Sequence, residues 1–435
     1  MDSDGMPRNR AFITLSKLMY PGIGIKRWIA LGGLGFIIFS TGLLYFLDKI
    51  LNFLVIGLFA NNVIPSLLSV AGIILLAKSL HGFYKTIGPL ILESDKLEDL
   101  TSIVYRRRLL NKGPNVVTIG GGTGLSVLLR GLKEYTYNLT AIVTVGDDGG
   151  SSGRLRKELG VVPPGDFRNC LVAMSDTETL VTDLFQYRFD QGNGLKGHNF
   201  GNLFLAAMAD VTNSFEQAVV ESSRMLSVHG RIFPATTANI TLTATLKGGV
   251  EISGESNIRA SGGNIDHISI DPVDALAYAP AVEAIKNAEI IVIGPGSLYT
   301  SVLPNLLIDQ ISQAIRESGA IKIYTCNVAT EIGETDGYSI ADHIDALQNH
   351  TFDEIVHYVL ANNHSVELDP NVEVESVLHN GSISPHIRLE KADLIDVDHP
   401  LLHDSNRLAR TIIGVYHRER KLKNFFRWSL SRKYN

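Results

Sequence analysis

The sequence has very few cysteines: Cys170 and Cys326 are the only two among 435 residues. They lie far apart and show no metal-ligand spacing, which excludes a disulfide framework and indicates a reducing cytosol. A strong net charge is also absent, because 39 basic residues stand against 45 acidic ones, a balance of −6. That balance argues against nucleic acid as the main partner.

Charge itself is absent from two long runs near the N-terminus. Residues 28–47 contain no charged side chain, and a second apolar run follows at 54–77. About twenty apolar residues suffice to span a bilayer as a helix. A cleaved signal peptide and a buried core hairpin are the alternatives; the first run is too long for a signal core, and both runs lack a polar face. We therefore predict that residues 1–92 form a membrane anchor with a transmembrane helical hairpin.

The basic residues around these runs predict an orientation. They precede the first run and follow the second, and only Lys49 lies between the two. Since cytoplasmic flanks carry the excess of Lys and Arg, both ends should face the cytoplasm. The sequence thus predicts a multi-pass protein of the inner or plasma membrane, whose main domain is cytoplasmic.

The rest of the chain divides into three parts. Residues 93–114 are charged, with apolar residues at helical spacing, and predict a linker helix. Residues 115–417 alternate short β-branched runs with helical patterns, which predicts an α/β domain with a doubly wound, mostly parallel sheet. Within it, 238–253 predicts a β-hairpin insertion that turns at Lys247-Gly248-Gly249. Residues 418–435 form a basic, aromatic tail, which predicts contact with an anionic membrane surface.

A glycine-rich loop, Gly120-Gly121-Gly122-Thr123-Gly124, follows the first predicted strand of this domain. Backbone amides at a helix N-terminus, uncrowded by side chains, present hydrogen-bond donors to an anion. The loop lacks the third glycine of a dinucleotide fingerprint, since Leu125 stands there, and it lacks the Gly-Lys-Ser/Thr of a Walker loop. It predicts an anion site, with a ligand-free turn as the alternative.

The segment Asp147-Asp148-Gly149-Gly150-Ser151-Ser152-Gly153-Arg154 follows the next predicted strand and is the most informative part of the sequence. Its adjacent carboxylates can hold a hard cation such as Mg²⁺, or one can accept a hydrogen bond from a sugar or ribose hydroxyl. An exposed acidic turn is the alternative. Arg154 is a candidate phosphate contact.

The stiff turn at 163–169 displays a carboxylate, a guanidinium and an amide. Asp166 stands where a helix N-cap is expected, so capping is its predicted role. Arg168 and Asn169 are the better candidates for contact with a ligand.

Two further polar loops complete the candidate site. In the loop at 197–202, His198 is either a general base or a histidine held by a neighbouring carbonyl. The loop at 294–301 is a second anion-type loop, in which Tyr299 either stacks on a base or packs in the core. No residue is assigned to catalysis. The candidate ligand-binding residues are Gly121, Gly122, Thr123, Gly124, Asp147, Asp148, Gly149, Gly150, Ser151, Arg154, Arg168, Asn169, His198, Asn199, Asn202, Gly294, Gly296, Ser297 and Tyr299, with Asp147 and Asp148 as candidate metal ligands.

Together these motifs resemble the gluconeogenesis-factor family, whose enzymatic relatives are the 2-phospho-L-lactate transferases of deazaflavin cofactor biosynthesis. The resemblance covers residues 115–415 and does not include the two apolar runs. Its carriers are Gly120–Leu125, Asp147–Gly153, Gly165–Asn169, Gly197–Asn202, Gly294–Ser301 and the Gly333-Glu334-Thr335 triplet.

The resemblance implies a Rossmann-like domain that binds a UDP-sugar such as UDP-N-acetylglucosamine. It implies a regulator of carbon flow to cell-wall precursors and of cell shape, rather than an enzyme. The expected partner is a cell-wall precursor enzyme, and the expected assembly is a homodimer. The alternative is a transferase that uses a guanine-nucleotide-activated donor, Mg²⁺ and a deazaflavin acceptor. The predicted anchor favours the regulator, since wall precursors are made beside the bilayer.

The resemblance also implies roles for single residues. Asp147 and Asp148 would contact a metal or an acceptor, and Tyr299 would contact the nucleotide. Some members carry a basic residue for the sugar nucleotide just before the Gly-Glu-Thr triplet, where this chain has Ile332. Thr335 is a candidate for regulatory phosphorylation in that branch.

Overall fold

The computed structural model divides the chain into two units, Met1–Asn111 and Lys112–Asn435. The first unit contains two long helices, α1 (Ile25–Ile56) and α2 (Val63–Ile91). The residues that the structure describes are 25–56, 63–91, 106–176, 179–364, 374–377 and 379–431.

The two helices of the first unit pack against each other in antiparallel orientation. A Cβ atom on Gly72 of α2 would lie 2.6 Å from Cβ of Phe39, and one on Gly82 would lie 2.5 Å from the ring of Trp28. The later residue of α2, Gly82, faces the earlier residue of α1, Trp28, so the two helices run in opposite directions. Glycine at both positions allows the helices to approach closely.

The predicted transmembrane hairpin, and with it the predicted membrane location, is wrong. Within the described residues, no helix is both long enough and apolar enough to cross a membrane. The charge-free runs at 28–47 and 54–77 are helical in large part.

Two other predicted segments fall partly outside the described residues. Of the predicted linker helix at 93–114, residues 106–110 are helical and 93–105 lie outside the described part. The tail at 418–435 continues the last helix as far as Ser431. Its predicted contact with an anionic surface stays a prediction.

The second unit contains a seven-stranded parallel sheet and a three-stranded antiparallel sheet. The predicted α/β fold with a mostly parallel sheet is therefore confirmed. The strands are β1 (Val116–Gly120), β2 (Leu139–Val143), β3 (Arg231–Pro234), β4 (Thr241–Leu246), β5 (Glu251–Ser253), β6 (Ile265–Asp271), β7 (Ile290–Ile293), β8 (Ile321–Thr325), β9 (Tyr358–Asn362) and β10 (Arg388–Ala392).

Helices cover the sheets and connect their strands. They are α3 (Gly122–Leu132), α4 (Gly150–Leu159), α5 (Gly165–Met174), α6 (Thr179–Gln186), α7 (Phe200–Thr212), α8 (Phe215–Met225), α9 (Glu255–Ser261), α10 (Ala279–Lys286), α11 (Leu303–Leu306), α12 (Asp309–Glu317), α13 (Ile340–His350) and α14 (Ser405–Ser431), with a π-helical turn at Leu298–Val302.

The order of the large sheet is β10-β9-β8-β7-β1-β2-β3, and every neighbouring pair runs parallel. The chain builds outward from β1 in one direction and from β7 in the other, so the order reverses between these two strands. Ligands of doubly wound sheets bind at such a switch point, beyond the carboxyl ends of the strands. All residues of β1, β2 and β7 are buried, as expected of parallel strands covered on both faces.

The predicted hairpin at 238–253 is present as β4 and β5, which pair antiparallel. Its sequence alternates between Leu242 and Ala244, which are buried, and threonines that are more exposed. A third strand, β6, pairs with the other edge of β4 and was not predicted. Its core side chains are interrupted by charged residues, so its period-2 pattern is weak in the sequence.

The apolar pattern of the sequence predicts one helix from Phe200 to Val220, but the structure has two helices there, α7 and α8. The break lies at Asn213, whose φ of 55° is left-handed and ends α7. Ser214 then caps α8, since its hydroxyl accepts a hydrogen bond from the amide of Gln217 at 3.1 Å. Asn and Ser are the residues expected at a helix end followed by a helix start.

The N-terminal end of α14 lies close to α3 at Gly131. A Cβ atom there would lie 1.9 Å from the carbonyl oxygen of Ser405 and 2.9 Å from Cβ of Ala409. The glycine hydrogen is therefore the only substituent that this contact accommodates.

We expect Gly131→Ala to lower the free energy of unfolding by about 1–3 kcal/mol, because the added methyl group overlaps α14. Gly414→Ala is the matched control in a helix interior, since a Cβ there meets no atom within 4 Å. Gly414→Ala should raise the free energy of unfolding by up to about 1 kcal/mol. Denaturant unfolding followed by circular dichroism measures both, and equal effects at the two positions would contradict the close packing of α3 on α14.

Candidate functional site

A cavity of about 1000 Å³ opens beyond the carboxyl ends of the strands at the switch point between β1 and β7. It is lined by the loops that follow β1, β2, β7 and β8, and by α9 from the small sheet. This volume lies at the upper end of the range for small-molecule sites. It suffices for a ligand of several linked groups, such as a nucleotide with an attached sugar.

The first glycine loop forms one wall of the cavity and leads into α3. A Cβ atom on Gly121 would lie 2.6 Å from Oδ2 of Asp166, and one on Gly124 would lie 2.8 Å from the carbonyl oxygen of Pro295. Gly122 has a left-handed φ of 65°. The glycines therefore let three loops meet at the N-terminus of α3, where backbone amides attract anions.

The paired aspartates diverge. Asp147 lines the cavity, and its Oδ1 accepts a hydrogen bond from the amide of Gly149 at 2.8 Å. Asp148 does not line it; its Oδ1 accepts from the amide of Ser256 at 2.9 Å. Of the predicted Mg²⁺ ligand pair, only Asp147 therefore faces the cavity. Among the described residues, no group of three or more His, Cys, Asp or Glu side chains is arranged to hold a metal ion.

Asp166 is not the helix cap that the sequence predicts. Helix α5 begins at Gly165 after Pro164, and no side chain caps it. Asp166 instead lines the cavity and accepts a hydrogen bond from the amide of Gly122. Burial and the nearby Asp147 raise its pKa from 3.8 to about 6, although Gly122 and Arg168 oppose the shift.

Arg168 is held in the cavity wall by two amide side chains. Its Nη1 donates to Oδ1 of Asn202 at 2.9 Å, and its Nη2 donates to Oδ1 of Asn169 at 2.8 Å. Its Nε is buried without a hydrogen-bond partner among the described residues. Burial lowers its pKa to about 10, so it remains a cation at neutral pH. Because no carboxylate bonds to it, its charge is available to an anionic ligand.

His198 lies behind the cavity wall rather than in it. Its Nδ1 is 3.1 Å from the hydroxyl oxygen of Ser151, which itself lines the cavity. Burial and the nearby Arg154 lower its pKa. Asn199 caps α7 by accepting from the amides of Gly201 and Asn202. These contacts give His198 a bonded, structural position, with a side-chain hydroxyl rather than a carbonyl as its partner.

The second glycine loop already holds an internal anion. The buried carboxylate of Glu334 accepts from the amides of Tyr299 and Thr300 at 3.2 and 3.3 Å, and from the Thr300 hydroxyl at 2.8 Å. Burial and the neighbouring Glu331 raise the pKa of Glu334 to about 7. The first amides of this loop are thus taken by the protein, whereas Gly296 and Ser297 line the cavity.

Three residues singled out by the family resemblance have distinct positions. Tyr299 is 2% exposed and its hydroxyl is 2.8 Å from that of Tyr338, so it packs in the core outside the cavity wall. Ile332 lines the cavity and is half-exposed. Thr335 is completely buried, and its hydroxyl accepts from the amide of Glu331.

The structure thus brings most of the predicted ligand-binding residues to one cavity. Asp148, Arg154, His198, Asn199, Gly294 and Tyr299 are outside its wall. Arg154 donates instead to the carbonyl of Lys196 at 3.1 Å. The predicted residues that line the cavity are Gly121, Gly122, Thr123, Gly124, Asp147, Gly149, Gly150, Ser151, Arg168, Asn169, Asn202, Gly296 and Ser297.

Sequence reasoning missed one wall, which α9 supplies through Glu255, Ser256 and Arg259. Arg259 donates to Oε1 of Glu255 at 3.3 Å, and its Nε is 3.6 Å from Oε1 of Glu334. Arg188 also lines the cavity and was missed. The only sequence signal for the α9 wall was a charged segment directly after the hairpin, and such segments are usually exposed to solvent.

The raised pKa of Asp166 predicts a pH-dependent stability. In the unfolded chain this carboxyl ionises near 3.8, and in the folded chain it stays protonated to about pH 6. The folded state binds more protons in that window, so this group's contribution to stability falls as the pH rises through it. We expect the stability of Asp166→Asn, relative to that of the parent chain, to rise as the pH increases from 4 to 7.

Thermal unfolding at several pH values measures this difference. The exposed Asp190 supplies the control variant Asp190→Asn, whose difference from the parent chain should stay constant across the same range. A difference for Asp166→Asn that is equally independent of pH would contradict a protonated carboxyl in the cavity.

Comparison with known proteins finds a matching family and many similar chains. The family model described as 2-phospho-L-lactate transferase CofD matches residues 116–395. The gluconeogenesis factor of Bacillus subtilis is 48% identical over 269 residues, which cover 61% of this chain and 85% of that protein. A gluconeogenesis-factor relative from Clostridium acetobutylicum is 42% identical over 416 residues, 90% of each chain.

A crystal structure of a Bacillus halodurans protein has the same fold. It superposes with a TM-score of 0.65 at 44% identity and covers 69% of this chain and 100% of its own. The family match includes the loops that line the cavity after β1, β2, β7 and β8. The chain therefore belongs to the CofD-like family of gluconeogenesis factors.

Proposed function

We propose that this chain binds a UDP-sugar such as UDP-N-acetylglucosamine in the cavity at the switch point, and that binding regulates carbon flow to cell-wall precursors. The carrying observation is the chemistry of the cavity walls. One wall presents glycine amides and the Arg168 guanidinium, whose hydrogen-bond partners are two neutral amide side chains, and another wall presents carboxylates and a hydroxyl. A diphosphate suits the first wall, and sugar or ribose hydroxyls suit the second.

The diphosphate end would lie at the N-terminus of α3 and at Arg168. The guanidinium has fixed geometry, because Asn169 and Asn202 hold two of its nitrogens. A cation fixed before the ligand arrives loses little entropy on binding. Since Arg168 is 8% exposed, its contact with a phosphate would also be poorly screened by water.

The hydroxyl-binding end would lie at Asp147 and Glu255, which both line the cavity, whereas Asp166 is bonded to the Gly122 amide of the first glycine loop. Carboxylates in so small a volume repel one another, and this repulsion contributes to the raised pKa values of Asp166 and Glu255. Hydroxyl donors of a sugar would relieve that repulsion by hydrogen bonding to the ionised forms.

A regulatory role is the better supported of the two candidates. The transferase alternative needs a metal held by the paired aspartates, and Asp148 is bonded to a backbone amide instead. The membrane anchor no longer supports the regulator, so the proposal rests on the cavity and on relatives named gluconeogenesis factors. Its action would pass through a protein partner, for which a cell-wall precursor enzyme is the candidate, and a homodimer is its proposed assembly.

Isothermal titration of the full chain tests the ligand. UDP-N-acetylglucosamine should bind with one site per chain and without a requirement for magnesium. GTP and GDP with magnesium are the comparison. Selective binding of the guanine nucleotide, with turnover on a deazaflavin acceptor, would overturn the regulator and favour the transferase.

We expect Arg168→Gln to weaken the binding of UDP-N-acetylglucosamine by about 10- to 100-fold, the loss of a charge-assisted hydrogen bond of about 1.5–3 kcal/mol. Arg168→Lys keeps the charge but loses the planar guanidinium with its two donor nitrogens. Its affinity should therefore lie between those of the parent chain and Arg168→Gln. Arg154→Gln is the matched control, because Arg154 lies outside the cavity wall. The affinity of this variant for UDP-N-acetylglucosamine should stay within twofold of that of the parent chain. Unfolding midpoints establish that each variant is folded, and equal losses for Arg154→Gln and Arg168→Gln would contradict the assignment.

A further inference from the structure

Helix α9 is the one wall of the cavity that the small antiparallel sheet contributes. It lies between β5 and β6, and it places Glu255, Ser256 and Arg259 at the cavity. The side chain of Glu255 is 14% exposed. Its Oε2 and the Ser256 hydroxyl lie 3.7 Å and 3.0 Å from where a Cβ on Gly149 would stand, so both face the aspartate loop.

The N-terminus of α9 is capped by a residue from another loop. Its own N-cap position is Gly254, which has no side chain to accept a hydrogen bond. Asp148 fills that role, because its Oδ1 accepts from the amide of Ser256 at 2.9 Å. A Cβ on Gly254 would lie 2.5 Å from Oδ2 of Asp148, so glycine is required for this approach. The first amides of a helix need such an acceptor.

The other end of α9 is attached to the second glycine loop. Arg259 lies 3.6 Å from Oε1 of Glu334, and that oxygen also accepts the hydroxyl proton of Thr300 at 2.8 Å. Helix α9 is therefore held at its start by Asp148 and near its end by Glu334. These two contacts connect it to the loops that follow β2 and β8, and Glu334 in turn binds the loop after β7.

We propose that α9 is the sugar-binding wall of the cavity and that Asp148 is the positioning residue that holds this wall in place. The proposal rests on the proposed function and adds which part of the ligand each wall takes. Glu255 and Ser256 would bind hydroxyl groups of the sugar, while the diphosphate stays at Arg168 and the glycine loop. Asp148 lies outside the cavity wall and positions α9 through the amide of Ser256.

The electrostatics of α9 agree with a hydroxyl-rich ligand. Burial raises the pKa of Glu255 to about 7 even though Arg259 opposes the shift, and Asp147 and Asp148 raise it further. The raised pKa means that the hydrogen-bond donors around Glu255 do not fully stabilise its ionised form. Sugar hydroxyls supply such donors, whereas a phosphate would be repelled by the carboxylate.

Titration with UDP and with UDP-N-acetylglucosamine separates the two walls in the full chain. Glu255→Gln and Asp148→Ala should each weaken the sugar nucleotide about tenfold and leave the affinity for UDP within twofold. Asp148→Asn keeps an oxygen acceptor at Oδ1, so it should retain the affinity of the parent chain within about threefold. Equal losses for the two nucleotides would overturn the sugar-binding wall, and a loss in Asp148→Asn as large as in Asp148→Ala would overturn the positioning role.

Hydrogen exchange of the ligand-free chain gives a second readout. Asp148→Ala should speed exchange in the peptide spanning 254–261, and Asp148→Asn should not. Unchanged exchange in Asp148→Ala would overturn the positioning role whatever the ligand is. If the parent chain bound neither UDP nor its sugar conjugate, the proposed function and the sugar-binding wall would fail together, while exchange would still decide the role of Asp148.

Discussion

The parallel pairing of β1 with β7 is the constraint on which the rest of the structure depends. It joins strands that are separated by some 170 positions in the sequence and places their following loops side by side. Because the chain builds the sheet outward from this pair, the loops after β2 and β8 flank it on either side. The cavity is the space that remains between four loops at the carboxyl edge of one sheet, covered by α9.

Buried or half-buried carboxylates organise these loops by binding backbone amides. Glu334 accepts from the amides of the second glycine loop, Asp148 from the start of α9, and Asp166 from the amide of Gly122. Each carboxylate supplies the acceptor that an uncapped helix or turn needs. Of the two aspartates that suggest metal chemistry in the sequence, Asp148 therefore holds the start of α9, and Asp147 lines the cavity.

The candidate site could be predicted from the sequence to the level of its loops. Glycine-rich segments after β-branched runs identified the loops after β1, β2 and β7, because few other sequences permit such close backbone approaches. The roles of Asp148, Tyr299 and Asp166 could not be predicted, since each depends on a partner from a distant segment: Ser256, Tyr338 and Gly122. The same limit explains why α9 was missed, whereas the break between α7 and α8 has a local signal in Asn213 and Ser214.

The sequence by itself determined the alternation of strands and helices, the hairpin at 238–253, the positions of the glycine loops and the family. These follow from local backbone preferences and from motifs that are contiguous in the chain. Only the tertiary structure decided which acidic side chains face the cavity, which cation there lacks a carboxylate partner, and that no helix among the described residues can cross a membrane. The physical reason is that hydrogen bonding, burial and charge neutralisation are set by neighbours in space, and these neighbours can be distant in the sequence, as Asp148 and Ser256 are at a separation of 108 positions.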